Sequence, residues 1–212
     1  MVKLVFLCRR RPDITHARYV ELLLGGHVPL ALAHHQTMRR YVVNVVEETL
    51  GGGPALDSIG ALWFATLADY RERLCDSEAG ERLIAQDVAR FMGGADAFVT
   101  HEHAAPAPPV PRRLEERSRG GKLLVCVRRP PEARAETFVD DWIAERVQPF
   151  VARGAVAACV ANVVQERLGT SVPDYQAIVE LWLPGAADGV LDALCVPSVA
   201  ACYRAAEYVQ RW

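Results

Sequence analysis

Lys3-Leu-Val-Phe-Leu-Cys-Arg-Arg-Arg-Pro12 returns as Lys122-Leu-Leu-Val-Cys-Val-Arg-Arg-Pro-Pro131, 119 positions later. Val42-Val-Asn-Val-Val-Glu-Glu48 returns as Val160-Ala-Asn-Val-Val-Gln-Glu166 at an offset of 118, Leu62-Trp63-Phe64 as Leu181-Trp182-Leu183 at 119, and Leu74-Cys75 as Leu194-Cys195 at 120. Four blocks in one order, with offsets drifting by a residue or two, make the chain a tandem duplication. Residues 1–103 form copy one and 122–212 copy two. Between them Ala104-Ala-Pro-Ala-Pro-Pro-Val-Pro111 cannot continue a helix or a full strand ladder, and the polar stretch to Gly121 ends in a glycine pair, so 104–121 reads as a Pro-rich linker.

Within copy one, the apolar, β-forming run Val2 to Cys8 predicts a strand. Asp13 or Thr15 can cap a helix carrying Tyr19, Leu22 and Leu23 at helical spacing and ending near Gly25-Gly26. Arg39 to Val46 predicts a second strand, Gly51-Gly-Gly-Pro54 a turn, and Ile59 to Phe64 a third strand. A helix from Leu67 breaks near Gly80 and resumes with Leu83, Ile84, Val88 and Phe91, and Ala97 to His101 closes the unit as a strand. The order βαββαβ predicts an α+β, ferredoxin-like unit, an antiparallel sheet with both helices on one face. The other face must be covered, and the second copy offers the simplest cover, sheet against sheet. Copy two is predicted to be degenerate: at the observed offsets the chain reaches Trp212 where the second helix should end, leaving no clear fourth strand.

The 212 residues are 51% hydrophobic and 24% charged, which excludes a disordered chain. The start MVKLVFLCRRRPD has too short an apolar run for a signal peptide, and no stretch approaches the ~18 apolar residues of a membrane helix, so a cytoplasmic protein is expected. Six scattered cysteines without a CxxC read as reduced, mostly buried thiols. Copy one carries 11 basic and 13 acidic residues and copy two 9 and 11, a balance that argues against a nucleic-acid partner. No Gly-rich nucleotide cradle, Gly-x-Ser-x-Gly or His-Glu-x-x-His is present, and the triple glycine fits a hairpin.

Arg10-Arg11-Pro12, His27-Val28-Pro29-Leu30, Arg40-Tyr41-Val42-Val43-Asn44, Gly60-Ala61-Leu62-Trp63-Phe64 and the closing His101-Glu102-His103 together resemble the EthD-like branch of the dimeric α+β barrel superfamily across nearly all of copy one. His-x-Pro-Leu is the most specific element, and copy two departs there with Arg146-Val147-Gln148-Pro149. The resemblance implies two ferredoxin-like βαββα(β) units forming an intramolecular dimeric α+β barrel, a pseudo-dimer whose further pairing is left open. It also implies small-molecule chemistry without an obligate organic cofactor: decarboxylation, dehydration, cyclisation or oxygenation of phenolic or polyketide-like substrates. The superfamily also holds haem-binding branches and members without known activity, and fold alone does not choose among them.

All six histidines lie in copy one, so the working pocket is expected there, with copy two as its structural half. Imidazole exchanges protons near neutral pH, since its ordinary pKa is ~6.5. His27, after the glycine pair, is the expected general acid or base. Of His34 and His35, neighbours on a helical turn, only one can face inward. His34 is taken as the substrate contact. His101 and His103 share a strand face, and His101 is a candidate substrate-facing group. Metal is not expected, because His-x-His has no fixed third ligand. Tyr41 can donate to a developing oxyanion. Trp63, Phe64 and Leu30 are expected to pack an aromatic substrate. Asn44 and Asn162, matched in the two copies, suit a paired structural role ahead of substrate contact. The two arginine clusters at strand ends suit an ion-paired edge. The expectation is a cofactor-independent enzyme moving a proton on an aromatic substrate. The alternatives are a haem barrel with His27 or His101 as axial ligand and a non-catalytic binding module.

Overall fold

The computed structural model describes residues 1–104, 116–169, 173–185, 189–194 and 196–211. Copy one runs β1 (Val2–Arg10), α1 (His16–Leu22), a π-helical turn (Leu23–His27), α2 (Val28–His34), β2 (Arg40–Gly51), β3 (Ser58–Phe64), α3 (Leu67–Arg73), α4 (Glu78–Phe91) and β4 (Met92–Ala104). Copy two runs β5 (Gly121–Val127), α5 (Phe138–Arg146), α6 (Gln148–Ala152), β6 (Ala158–Leu168), β7 (Ala177–Leu183), α7 (Val190–Leu194) and β8 (Val199–Arg211). The eight strands close into one antiparallel barrel, β1-β3-β2-β8-β5-β7-β6-β4. Each copy contributes four strands in the same order, and the copies meet where β2 pairs with β8 and β4 with β6. The two sheets therefore share edges as well as a core, and the barrel leaves no edge strand unpaired.

Copy two has its fourth strand. β8 pairs with β5 inside its own sheet and with β2 of copy one. The expectation that it was missing fails because the second helix of copy two is cut to the single turn α7, so the closing strand arrives early and lies beyond the constant repeat offset. The linker 104–121 lies in its 105–115 part outside the described residues. Its end is tied to β8, with the Ser118 amide donating to the Glu207 carbonyl and Arg117 bridging to Tyr208.

Thr15 caps α1 through its side chain, accepting from the Arg18 amide. The first helix does not stop at Gly25-Gly26: the chain passes through both as a π turn and continues as α2, with Pro29 in its first turn. The break in the second helical segment falls at residues 74–77 and not at Gly80, because Thr66 with Asp69 forms a capping box on α3 and Ser77 starts α4 afresh. β4 begins five residues before the predicted Ala97.

Strand alternation sorts the side chains into three cores. Val5, Leu7, Ile59, Phe98, Leu124, Cys126, Ile178 and Tyr203 fill the barrel lumen. Leu4, Tyr19, Leu23, Val28, Tyr41, Leu62, Phe64 and Phe91 pack the helices of copy one on the sheet's outer face, and Leu123, Phe138, Trp142, Val147, Phe150 and Leu181 do so in copy two. Both faces of β3 are covered, and all seven of its residues are buried. Cys8, Cys126, Cys159 and Cys202 are buried and Cys75 half-buried, while Cys195 lies outside the described residues. Among the described residues, no helix is long and apolar enough to cross a membrane.

Candidate active site

The helix–sheet layer of copy one holds a group of polar side chains that copy two lacks. His27 ends the π turn with its ring buried. Its Nδ1 lies 3.2 Å from Asp87 Oδ2 on α4, and Asp87 is also approached by Arg90. With the carboxylate as acceptor the ring proton sits on Nδ1, leaving Nε2 as the lone-pair nitrogen. Burial lowers the His27 pKa, and Asp87 opposes the shift without cancelling it, so the imidazole is neutral at neutral pH. The Phe91 ring lies 5.5 Å from His27 and 5.4 Å from Tyr19, so the imidazole and the phenol flank one aromatic side chain. Tyr19 shares a 2.8 Å hydrogen bond with Ser58. Cys8 lies beside this pair, its thiol pushed up to about 11 by burial. Tyr41 is buried in the same layer, and burial also raises the Tyr19 and Tyr41 phenols, so both keep their protons.

At the 119-residue offset Tyr19 corresponds to Phe138, His27 to Arg146, Cys8 to Val127 and Ser58 to Ala177. Phe138, Val127 and Ala177 are members of an apolar cluster. Two layers of one architecture have thus taken different chemistry, polar and titratable in copy one and greasy in copy two.

The structure brings His27, Tyr41 and Phe64 into one layer and separates other expected site residues from it. Leu30 is half-buried on α2 outside the packed cluster, which uses Val28, Ala31 and Leu32 instead. His34 is a surface residue paired with Asp76 at 3.0 Å, and the inward histidine is His35. The helix ends between the two, and the last-turn direction decides which one turns in. His101 and His103 are exposed on the outer face of β4, their rings 5.3 Å apart, and among the described residues no group of three ligating side chains forms there. Trp63 cannot share a pocket with Phe64: adjacent strand residues face opposite ways, and Trp63 points into the lumen with Val42, Ala61 and Val209. Asn44 is also in the lumen, away from Tyr41. The ion-paired arginine edge forms in copy one, with Arg9 on Asp96, Arg10 on Asp57 and Arg11 on Asp13, whereas in copy two Arg128 and Arg129 donate to the backbone carbonyls of Asp174 and Ala133. Asp57, buried, also accepts from His16 at 2.8 Å.

The lumen holds charged residues that the sequence patterns do not single out. Lys3 and Lys122, matched in the two repeats, are buried, each with its ammonium over a matched indole, 4.4 Å from Trp63 and 4.3 Å from Trp182. Glu102 accepts from Lys3 Nζ and Trp63 Nε1, and Glu207 accepts from Lys122 Nζ and Trp182 Nε1. Glu180 bridges both ammoniums at 2.6 Å each, a cross-copy link with no counterpart, since Ala61 stands at the matching position. Asn162 lies opposite Glu102 across β4–β6, and Asn44 opposite Glu207 across β2–β8. Each Asn donates to the carbonyl of a neighbouring strand, Asn44 to Ile59 and Asn162 to Ile178, which is the paired structural role expected of them. The readable signal was the joint recurrence of Lys and Trp at one offset, each on the lumen side of its strand.

No family model matches the chain, and no curated protein matches its sequence. Solved structures do. An anthrone oxidase-like protein superposes with a TM-score of 0.61 at 10% identity, over 98% of this chain and 92% of the other. A candidate monooxygenase from Fusobacterium nucleatum gives 0.58 at 9% identity, covering 99% and 92%. A mutant chlorite dismutase from Candidatus Nitrospira defluvii gives 0.53 at 12% identity, covering 97% and 91%. At such identities the likeness speaks for architecture, and together with the closed barrel and its internal repeat it establishes a dimeric α+β barrel fold, built here as a pseudo-dimer within one chain.

Proposed function

We propose that this protein is an enzyme acting on an aromatic or polyketide-like substrate, bound in the helix–sheet layer of copy one, with His27 as the proton-transfer group and no organic cofactor required, as the EthD-like resemblance implies. The observation that carries the reading is the asymmetry of the two layers: copy one holds a neutral, Asp87-oriented imidazole in the same layer as two protonated phenols, whereas in copy two His27 is replaced by an exposed arginine, Arg146, and Tyr19, Cys8 and Ser58 by the apolar Phe138, Val127 and Ala177. Asp87 holds the proton on Nδ1, so Nε2 is the atom that accepts a proton from a phenol or from a carbon next to a ketone. Tyr41 is the hydroxyl that can donate to the oxygen on which charge then develops.

Among the reactions open to such a site, oxygenation is favoured by the likeness to an anthrone oxidase-like protein and a candidate monooxygenase. For an anthrone, His27 removes a ring-methylene proton to give the enolate. Molecular oxygen is then the oxidant, one atom ending in the new carbonyl of the anthraquinone and the other in water. The test is oxygen uptake with anthrone as probe. Wild-type protein is expected to accelerate uptake and His27→Ala to reduce it by about 10²- to 10⁴-fold while melting like a folded protein. Equal rates for the two proteins would remove His27 from the mechanism. A Soret band on adding haem, lost in His27→Ala, would favour the haem alternative instead.

A further inference from the structure

His35 closes α2, is 6% exposed, and neither of its ring nitrogens has a hydrogen-bond partner. An imidazole taken out of water with both nitrogens idle is destabilising, and native proteins rarely leave one so. The groups around it are cationic or neutral. Arg211 of β8 donates to the carbonyls of Leu32 and Met38, three residues to either side of His35, so its guanidinium spans the turn that holds the ring. Among the described residues Arg211 has no carboxylate partner. His27 and His34 are the other titratable groups acting on His35, and each of them has its own aspartate. The turn therefore combines an idle N–H donor with a guanidinium that, among the described residues, is held by backbone carbonyls and not by a carboxylate.

We propose that His35 and Arg211 form an oxyanion site for the substrate of copy one: His35 donates a hydrogen bond to an enolate or phenolate oxygen, and Arg211 supplies the field that favours its negative charge. This rests on the proton-transfer reading of His27 and extends it. When His27 Nε2 takes the substrate proton, an N–H bond forms as the C–H bond breaks, the C–H pair becomes a C=C π bond of the enolate, and the carbonyl π pair comes to rest on the oxygen that His35 holds; for a phenol the O–H pair stays on that oxygen. Burial, with the neighbouring positive groups, lowers the His35 pKa to about 4, so the ring stays neutral and offers one N–H throughout the neutral range. Arg211 belongs to the closing strand of copy two, so the second copy contributes to the site as well as covering the lumen.

The test uses the whole protein with 4-nitrophenol as a spectroscopic probe and anthrone as turnover substrate. The wild type is expected to bind the probe as its yellow phenolate, with the bound probe's apparent pKa lowered. His35→Leu, which removes the donor and keeps an apolar side chain, is expected to lose that lowering and to cut anthrone turnover by roughly a hundredfold, the size seen for single oxyanion donors, while melting no lower than wild type. Arg211→Gln is expected to lose most of the lowering too, and it serves as the second variant should His35→Leu not fold. His27→Ala is expected to keep the probe shift and lose turnover. If His27→Ala turns over normally while His35→Leu loses the shift, the base assignment falls and the anion site stands. Probe titration unchanged in both His35→Leu and Arg211→Gln overturns the anion site whatever His27 does. A His35→Leu protein that melts well below wild type, with His35→Gln restoring the melting temperature but not the probe shift, assigns the ring to structure and also overturns it.

Discussion

Glu180 offers the sharpest test of what holds the two copies together. Its carboxylate lies in the lumen, accepting from Lys3 Nζ and Lys122 Nζ at 2.6 Å each and from Asn162 Nδ2 at 2.9 Å. Glu180→Ala installs the residue that copy one already has at the matching position, Ala61, so backbone and strand register tolerate it. Three charge-assisted bonds disappear, each worth about 1.5–3 kcal/mol net. Both lysines keep a second carboxylate, Glu102 or Glu207, and the cost of desolvating Glu180 disappears with it. The balance is about 3–5 kcal/mol lost, the range for breaking a buried pair. For a chain of this size that lowers Tm by roughly 6–20 °C. Acid gives a second signature. Burial raises the Glu180 pKa, but the ammoniums of Lys122 and Lys3 overcome this and hold it well below the ordinary glutamate value. A depressed folded-state pKa contributes stability that is present above the unfolded value and lost as pH falls through the folded one. Thermal unfolding followed by circular dichroism at neutral pH and across the acid range below pH ~4.5 reads both effects. Glu180→Gln, which keeps shape and an acceptor, should fall between wild type and Ala. A Glu180→Ala protein that melts within about 2 °C of wild type and has the same acid slope would refute the reasoning, making the lumen charges no better than an apolar filling.

Three further outcomes follow from the helix layer of copy one. Because the His35 pKa is lowered to about 4 from an unfolded value near 6.5, under the influence of burial and of His27, His34 and Arg211, the unfolded chain binds a proton that the folded one refuses, and stability should fall by about 3 kcal/mol as pH drops between those values. Denaturant titrations of wild type and His35→Leu should differ in pH slope by one proton there. Tyr19→Phe and Ser58→Ala should each cost about 1–2 kcal/mol by orphaning a buried hydroxyl, while the double variant should cost less than their sum, since Phe138 and Ala177 show the apolar pairing packs in copy two. Gly25 and Gly26 have open space where a Cβ would stand, with no atom within 4 Å, and neither has a positive φ, so Gly25→Ala should raise stability by about 0.5–1 kcal/mol in a melting assay.

The barrel was legible because a repeat leaves few choices: a strand order read once applies twice, and two half-covered sheets must cover each other. The fourth strand of copy two was not legible, because a repeat offset finds only what has kept its spacing. Glu102 and Glu207, equivalent by their Lys and Trp partners, stand 105 residues apart, not 119, and the missing residues are the helix reduced to α7. Trp63 and Phe64 could have been separated in advance, since alternation forbids neighbours from sharing a face. His35 could not: at a helix end the side chain that turns inward depends on where the next segment goes, here a turn fastened by Arg211 from the far end of the chain. Lys3 and Lys122 were hidden by a sound prior, that a lysine opening an apolar strand is solvated, and only the partners Glu102, Glu180 and Glu207 from distant strands reverse it.

The two kinds of core explain why the copies have diverged so unevenly. A lumen residue of one copy answers to residues of the other: Asn44 faces Glu207, Asn162 faces Glu102, and Lys3 reaches Glu180, so a change on one side strands a buried polar group on the other. The helix layers answer mainly to themselves, so Tyr19 can become Phe138 without a partner in the opposite copy losing a bond. Matched Lys, Trp and Asn therefore persist in the lumen while the outer layers differ in chemistry. The exceptions obey the same logic. Ala61 matches Glu180 in the repeat because a single bridging carboxylate already reaches both ammoniums, and a second would add an uncompensated buried charge. Arg211 crosses from copy two into the layer of copy one, where it donates to the carbonyls of Leu32 and Met38, so that layer too is fastened by a residue of the other copy.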